Sequence, residues 1–288
     1  HNGLTYYIRH NEKPKGLAEF YIVHDVGAIQ EDDNQQGLAH FLEHMAFNGT
    51  KNYPDNKLRE YLESIGVKFG ANLNAFTSWD LTQYFMTDVP IARESVIDSA
   101  LLVLHDWSHF ITLDPKEIDA ERGVIQEELR TSETASWRAQ IKMIKALGKG
   151  TLYENRNLIG YLDGLAGFTY DDIREFYHKW YRPDYQTVVV VGDIDVDKVE
   201  QKIKTIMADI PAPAADAAKK DVIVVPDNDE PIVSVNADPE MQQSNLMIFY
   251  KSQAMPKEMN NTMTYELLNI VKSYISSVMS ERLSDISR

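Results

Sequence analysis

Two histidines and a glutamate sit inside a short apolar segment, and that placement limits what the chain can fold into. Leu38, Ala39, Phe41, Leu42, Met45, Ala46 and Phe47 surround His40, Glu43 and His44, with Gly37 before them and Asn48 and Gly49 after. The pattern predicts a helix between those breakers. A helix apolar on nearly every side has to be buried, and buried imidazole and carboxylate groups need partners. At about 100° per residue, His40 and His44 lie about 40° apart on one face, and Glu43 lies about 60° to the other side of His40. All three side chains then look into one space. Imidazole nitrogens one turn apart can share a zinc ion at roughly 2.0–2.1 Å, and the carboxylate can reach a water beside it. The arrangement predicts a hydrolase that uses a metal.

Such a site calls for a third protein ligand and an open position. Within Ile118–Arg130, Glu121 and Glu128 are seven apart and share a helix face two turns from each other, whereas Glu127 points about 100° away from Glu128 and reads as solvated. Periodicity alone leaves a merely wet charged face open. Glu121 follows His44 by 77 positions and Glu128 follows it by 84, so both remain candidates on residue type.

Three phrases in order resemble the pitrilysin, or insulinase, family of zinc metallopeptidases: GLAHFLEHMAFNGT over Gly37–Thr50, NAFTS over Asn74–Ser78 and ERGVIQEE over Glu121–Glu128. His-x-x-Glu-His is the inverzincin order, reversed from His-Glu-x-x-His. The opening Asn2–Tyr7 and the block from Tyr177 to Asp195 also fit, so the similarity runs through roughly residues 1–210 and less distinctly beyond. The resemblance implies that His40, His44 and Glu128 bind one Zn2+ per chain, that Glu43 is the general base, and that Glu121 assists catalysis by orienting a histidine. Spacing within the family favours Glu121 as the third ligand; the local phrase favours Glu128, with the extra residues absorbed in loops around Tyr53 to Asn56 and Phe110 to Pro115. It further implies that an extended peptide adds to an edge strand through main-chain contacts at about Asn74 and Ala75. The implied activity is a zinc-dependent metalloendopeptidase. The alternative is a non-catalytic peptide-binding or assembly subunit of the same fold.

The other histidines read as structural. His105 and His109 are also four apart near the end of an apolar helix, but no carboxylate stands in the matching place; Leu101, Leu102, Leu104, Trp107 and Phe110 make that helix a core element. His24 lies on a strand-like run and His178 just before Trp180 and Tyr181.

A chain of 288 residues that is 43% hydrophobic can bury a large core, and one or two domains are expected. Its net charge of −15 argues against nucleic acid and anionic membranes as partners. No apolar run approaches the roughly 20 residues that span a bilayer, and no secretion signal is visible. Without cysteine there is neither a disulfide nor a thiol nucleophile.

The order of elements is α+β: a mixed or antiparallel sheet with long helices on one face, in one full repeat plus the start of a second. Strands are expected near Leu4–Arg9, Ala18–Val26, Val67–Phe76, Leu81–Asp88 and Thr187–Gly192. Helices are expected over Asn56–Ile65, Ile91–Phe110, Pro115–Leu147, Tyr170–Tyr181 and Val196–Met207. Residues 1–207 read as the metal-binding catalytic repeat, 208–221 as a Pro- and Ala-rich linker, and 222–288 as a truncated second repeat, with strands at Val222–Val225, Pro231–Ala237 and Asn245–Tyr250 and a helical run over Lys257–Ile286. The chain opens at His1 inside a strand-like phrase, which reads as part of a longer protein. The resemblance implies that a C-terminal half or a partner subunit closes a chamber around the peptide and supplies an Arg and a Tyr near the scissile bond. It follows that this part alone is weakly active or inactive. Bacterial members are commonly periplasmic, which makes an exported location the expectation.

Overall fold

A computed structural model describes residues 2–252 and 255–286. Five strands form one mixed sheet: β1 (Thr5–His10), β2 (Leu17–His24), β3 (Leu73–Thr77), β4 (Thr82–Pro90) and β5 (Gln186–Gly192), in the order β1-β5-β2-β4-β3. β1 and β5 are parallel; the remaining pairs are antiparallel. Along β2 and β5 every second residue is buried, so Ala18, Phe20, Ile22, Val188 and Val190 point into the core while the alternate side chains stay partly wet. A sheet buried on one face requires that alternation.

The helices are α1 (Leu38–Met45), α2 (Lys57–Ser64), α3 (Glu94–His109), α4 (Pro115–Ser132), α5 (Ala135–Leu147), α6 (Leu152–Asn155), α7 (Leu162–Gly167), α8 (Tyr170–Trp180), α9 (Val196–Ile206) and α10 (Met263–Ile286). α1 and α3 lie against β4, and α4 and α8 pack on α1. Behind α1, Phe47 meets Trp107 edge-on at 5.6 Å and Trp107 stacks on Tyr84 at 5.4 Å.

Three expectations change. The strand drawn over Val67–Phe76 shortens to Leu73–Thr77, because the turn around Gly70, with φ 80°, occupies the start. The helix drawn over Pro115–Leu147 divides into α4 and α5 where Thr134, in extended conformation, accepts from the Trp137 amide and caps a new helix. The segments Val222–Val225, Pro231–Ala237 and Asn245–Tyr250 pair with no described strand, and Val222, Val233 and Val235 are exposed. A β-propensity run needs a ladder to join, and propensity alone does not supply one. The short helices α6 and α7 are additions that no periodic pattern announces.

The chain divides into two compact units, His1–Gln242 and Gln243–Arg288. The first holds the sheet and α1 to α9. In the second, α10 is a single long helix with no buried residue among those described.

One buried network ties α3 to two loops. Asp106, fully buried, accepts from Thr50 Oγ1, the Asn52 amide and Asn52 Nδ2. His105 bridges Asp106 Oδ1 at 3.0 Å and Asp209 Oδ1 at 2.7 Å. Burial opposes the imidazolium, but these two carboxylates outweigh it and raise the His105 pKa. A raised folded value means that the stabilisation is complete below the unfolded pKa of about 6.5 and is lost as pH climbs through the folded value. His105→Gln should therefore destabilise the fold by roughly 1–3 kcal/mol in mild acid. In urea unfolding the gap from wild type should close with rising pH; a gap independent of pH would show that the imidazole acts neutral.

Candidate metal centre

Eight residues make α1 too short to hold by itself in water. Its ends are secured by distant groups. At the start, Glu31 accepts from the amides of Gly37 at 3.0 Å and Ala39 at 2.8 Å. Past the end, Trp107 Nε1 donates to the Ala46 carbonyl at 3.0 Å. Gly37 has φ 96°, and a Cβ there would sit 2.6 Å from the Ile159 carbonyl and 2.9 Å from Gly160 Cα, so only glycine admits this contact. Phe41, Leu42 and Met45 are buried, each contributing roughly 1.5–3 kcal/mol. That burial fixes α1 with His40 and His44 turned toward α4.

His40 Nε2 lies 3.5 Å from Glu128 Oε1, and His44 Nε2 lies 3.2 Å from Glu128 Oε2. Donor atoms of these three residues all fall within 4.8 Å of one another. Tetrahedral zinc with bonds of roughly 2.0–2.1 Å places its ligands roughly 3.3–3.4 Å apart, so the spacing suits such an ion. On the other side of the ring, His44 Nδ1 meets Glu121 Oε1 at 2.8 Å, and Asn48 Nδ2 donates to the second Glu121 oxygen. The two glutamates on one face of α4 thus hold opposite nitrogens of His44. The Glu121 side chain is 14% exposed and that of Glu128 38%, so Glu121 stands behind the ring while Glu128 faces the open space.

The protonation pattern also suits a cation. Burial, then the neighbouring His44, lowers the His40 pKa to about 4, leaving its lone pair free near neutral pH. At His44 burial is opposed by hydrogen bonds to Glu121 and Glu128, which carry its pKa up to about 9. The carboxylates draw onto His44 a positive charge that a metal would otherwise supply.

Glu43 is buried at 8% exposure, and burial raises its pKa against the opposing hydrogen bond from Thr77. Thr77 Oγ1 donates to Glu43 Oε2 at 2.8 Å. His40, Glu43, His44 and Glu128 line a cavity of about 470 Å³ together with Asn74 and Ala75 from β3. β3 is the edge of the sheet. The Ala75 amide, rather than being bare there, is held by Asn74 Oδ1 at 2.9 Å.

All seven residues named from the sequence therefore come to one place, six on the cavity wall and Glu121 behind His44. Asn48, Thr77, Arg59, Phe69 and Ile159 join them without having been singled out by motif. Asn48 follows His44 by four and Thr77 follows Ala75 by two, so helical and strand periods carry a signal for both. Arg59, Phe69 and Ile159 arrive through tertiary packing and have none.

The chain is similar to known proteins in both sequence and fold. The family model described as Insulinase (Peptidase family M16) matches residues 7–160, and that described as Peptidase M16 inactive domain matches residues 167–288. The second range contains a single histidine, His178. The chain is 39% identical over 211 residues to the probable zinc protease PqqL of Escherichia coli (strain K12), covering 73% of this chain and 23% of that protein. It is 32% identical over 288 residues to the zinc protease PQQL-like of Arabidopsis thaliana, covering 100% of this chain and 30% of that protein. The crystal structure of the first half of the periplasmic protease PqqL from Escherichia coli superposes with a TM-score of 0.73 at 38% identity, over 78% of this chain and 47% of that one. The chain thus spans less than a third of the length of these two curated relatives.

If Glu121 orients His44, Glu121→Gln should weaken zinc binding by about 10–100-fold, and His44→Ala should abolish it. Competition against a chelator of known affinity measures both, and unchanged affinity in Glu121→Gln would remove Glu121 from the site.

Proposed function

Because the chain belongs to the insulinase family of peptidases, family M16, we propose that it is the metal-binding part of a zinc-dependent metalloendopeptidase. The observation that carries this reading is the convergence of His40, His44 and Glu128 beside the buried Glu43. His40, His44 and Glu128 hold one zinc ion, with Glu121 fixing the His44 ring through Nδ1. Zinc, when bound, supplies Lewis acidity toward a water and the peptide carbonyl. Glu43 takes the proton of the attacking water and returns it to the leaving amine. Burial raises the pKa of Glu43 above the ordinary carboxylate value, which favours its taking up the proton. Thr77 occupies one carboxylate oxygen and leaves the other for the proton.

An extended peptide adds to the open edge of β3, its carbonyl replacing Asn74 Oδ1 on the Ala75 amide. Main-chain pairing of this kind selects extension over side-chain identity. Residues 1–207 form the catalytic repeat, 208–221 the linker and 222–288 the start of a second repeat. A C-terminal half or partner subunit closes the chamber, so the chain by itself is a weak catalyst, lacking contacts that form only in the transition state. The periplasmic location of the Escherichia coli relative supports a periplasmic or otherwise exported site of action. No described helix is long and apolar enough to cross a membrane.

Glu43→Gln should keep its zinc and lose about 10²–10⁴-fold in peptide hydrolysis, whereas His44→Ala should lose both metal and hydrolysis. Metal content measured beside cleavage of a quenched fluorescent peptide, before and after chelation and zinc return, decides it. Hydrolysis retained by the glutamine variant would refute the base.

A further inference from the structure

Arg59, on α2, lines the same cavity and has no part in holding the metal or moving the proton. Its guanidinium lies 4.2 Å from the ring centre of Phe69 and 5.8 Å from that of Phe47. Its Nε is closed off from solvent without a hydrogen-bond partner among the described residues. Glu121 and Glu63 act on it through space, but among the described residues neither forms an ion pair with it. Other arginines differ. Arg122 donates to the Leu165 and Phe168 carbonyls, Arg138 to Asp238 and Glu240, Arg156 to Asp33 and the Glu31 carbonyl, and Arg182 to Asp184. Among the described residues, Arg59 is the one of these five with no oxygen accepting from its guanidinium, and its Nε is buried.

A planar cation braced on aromatic rings and facing a cavity is suited to a bidentate carboxylate. The place matters as well. Glu43 and Glu128 repel an anion from the rest of the wall, while Phe69 and Phe76, 43% and 45% exposed, offer ring surface at the rim. The geometry points to Arg59 as a specificity-determining residue that receives a substrate carboxylate beside the scissile bond, from an acidic side chain or from the peptide's own C-terminus. This rests on the cavity being a peptidase site. Arg59 provides selection by charge where the strand edge reads only the backbone.

The test uses the protein as its native gene produces it. Quenched peptides of one parent sequence carry Glu, Gln or Lys at each position flanking the bond, and a second set ends shortly after the bond with a free or an amidated terminus. Wild type should favour a carboxylate over its amide by about tenfold or more in kcat/KM at one position. Preference for Glu over Gln identifies the side chain as source; preference for the free over the amidated terminus identifies the chain end. Arg59→Gln should bring the ratio near one, Arg59→Lys should keep part of it, and Arg59→Glu should turn preference to Lys. Zinc content should be equal in all four proteins. The same ratios are read as Kd on Glu43→Gln protein, independently of turnover. Equal loss on every peptide in Arg59→Gln, or no carboxylate preference in wild type, would overturn the role and leave Arg59 as a counter-charge to Glu121. Carboxylate-selective binding without any cleavage by wild type would instead refute the peptidase reading.

Discussion

The hydrogen bond between His44 and Glu121 ties α1 to α4 on the hidden side of the candidate metal centre. α1 is an apolar helix carrying polar groups it cannot satisfy, and α4 is a largely wet helix with two acids on one face. Setting Glu121 against Nδ1 fixes the rotation of the His44 ring, and with it the direction of Nε2. Glu128, two turns on, then arrives opposite that nitrogen without any adjustment of the backbone. One contact on the hidden side of the ring therefore sets the geometry of the open side.

The surroundings of α1 show what such alignment requires. A helix of this length is marginal in water, so its position depends on capping from Glu31 and Trp107, the close glycine contact with Ile159 and Gly160, and its buried side chains. Each of these comes from a different part of the sequence. The cavity inherits its shape from them: Ile159, next to the glycine contact, forms part of the wall. Packing and site geometry are set by the same residues.

That origin explains which features are legible in the amino-acid sequence and which are not. His40, Glu43 and His44 are legible because a helical period brings them together locally, and so is the shared face of Glu121 and Glu128. Which acid stands on which side of His44 is not legible from spacing, since both are compatible with one helix face; the packing of α4 across α1 assigns them. The break between α4 and α5 carries a signal in Thr134 that a long apolar period conceals. The valine-rich segments after residue 221 read as strands because β-propensity is local, whereas the pairing that makes a strand is not. Arg59 is invisible for a related reason: nothing in its neighbourhood on α2 reports that its head meets Phe69 while its Nε finds no partner among the described residues.

The edge of β3 carries a consequence for behaviour in concentrated solution. An unpaired outer strand is a template for uncontrolled growth of sheets between molecules. Here Asn74 turns its side-chain oxygen back onto the next amide, so that a donor which would recruit a neighbouring copy is already engaged. The guard is a single local contact that an incoming chain can displace with an oxygen of its own. In the proposed strand addition, one asparagine therefore both engages the edge donor and yields it to the guest.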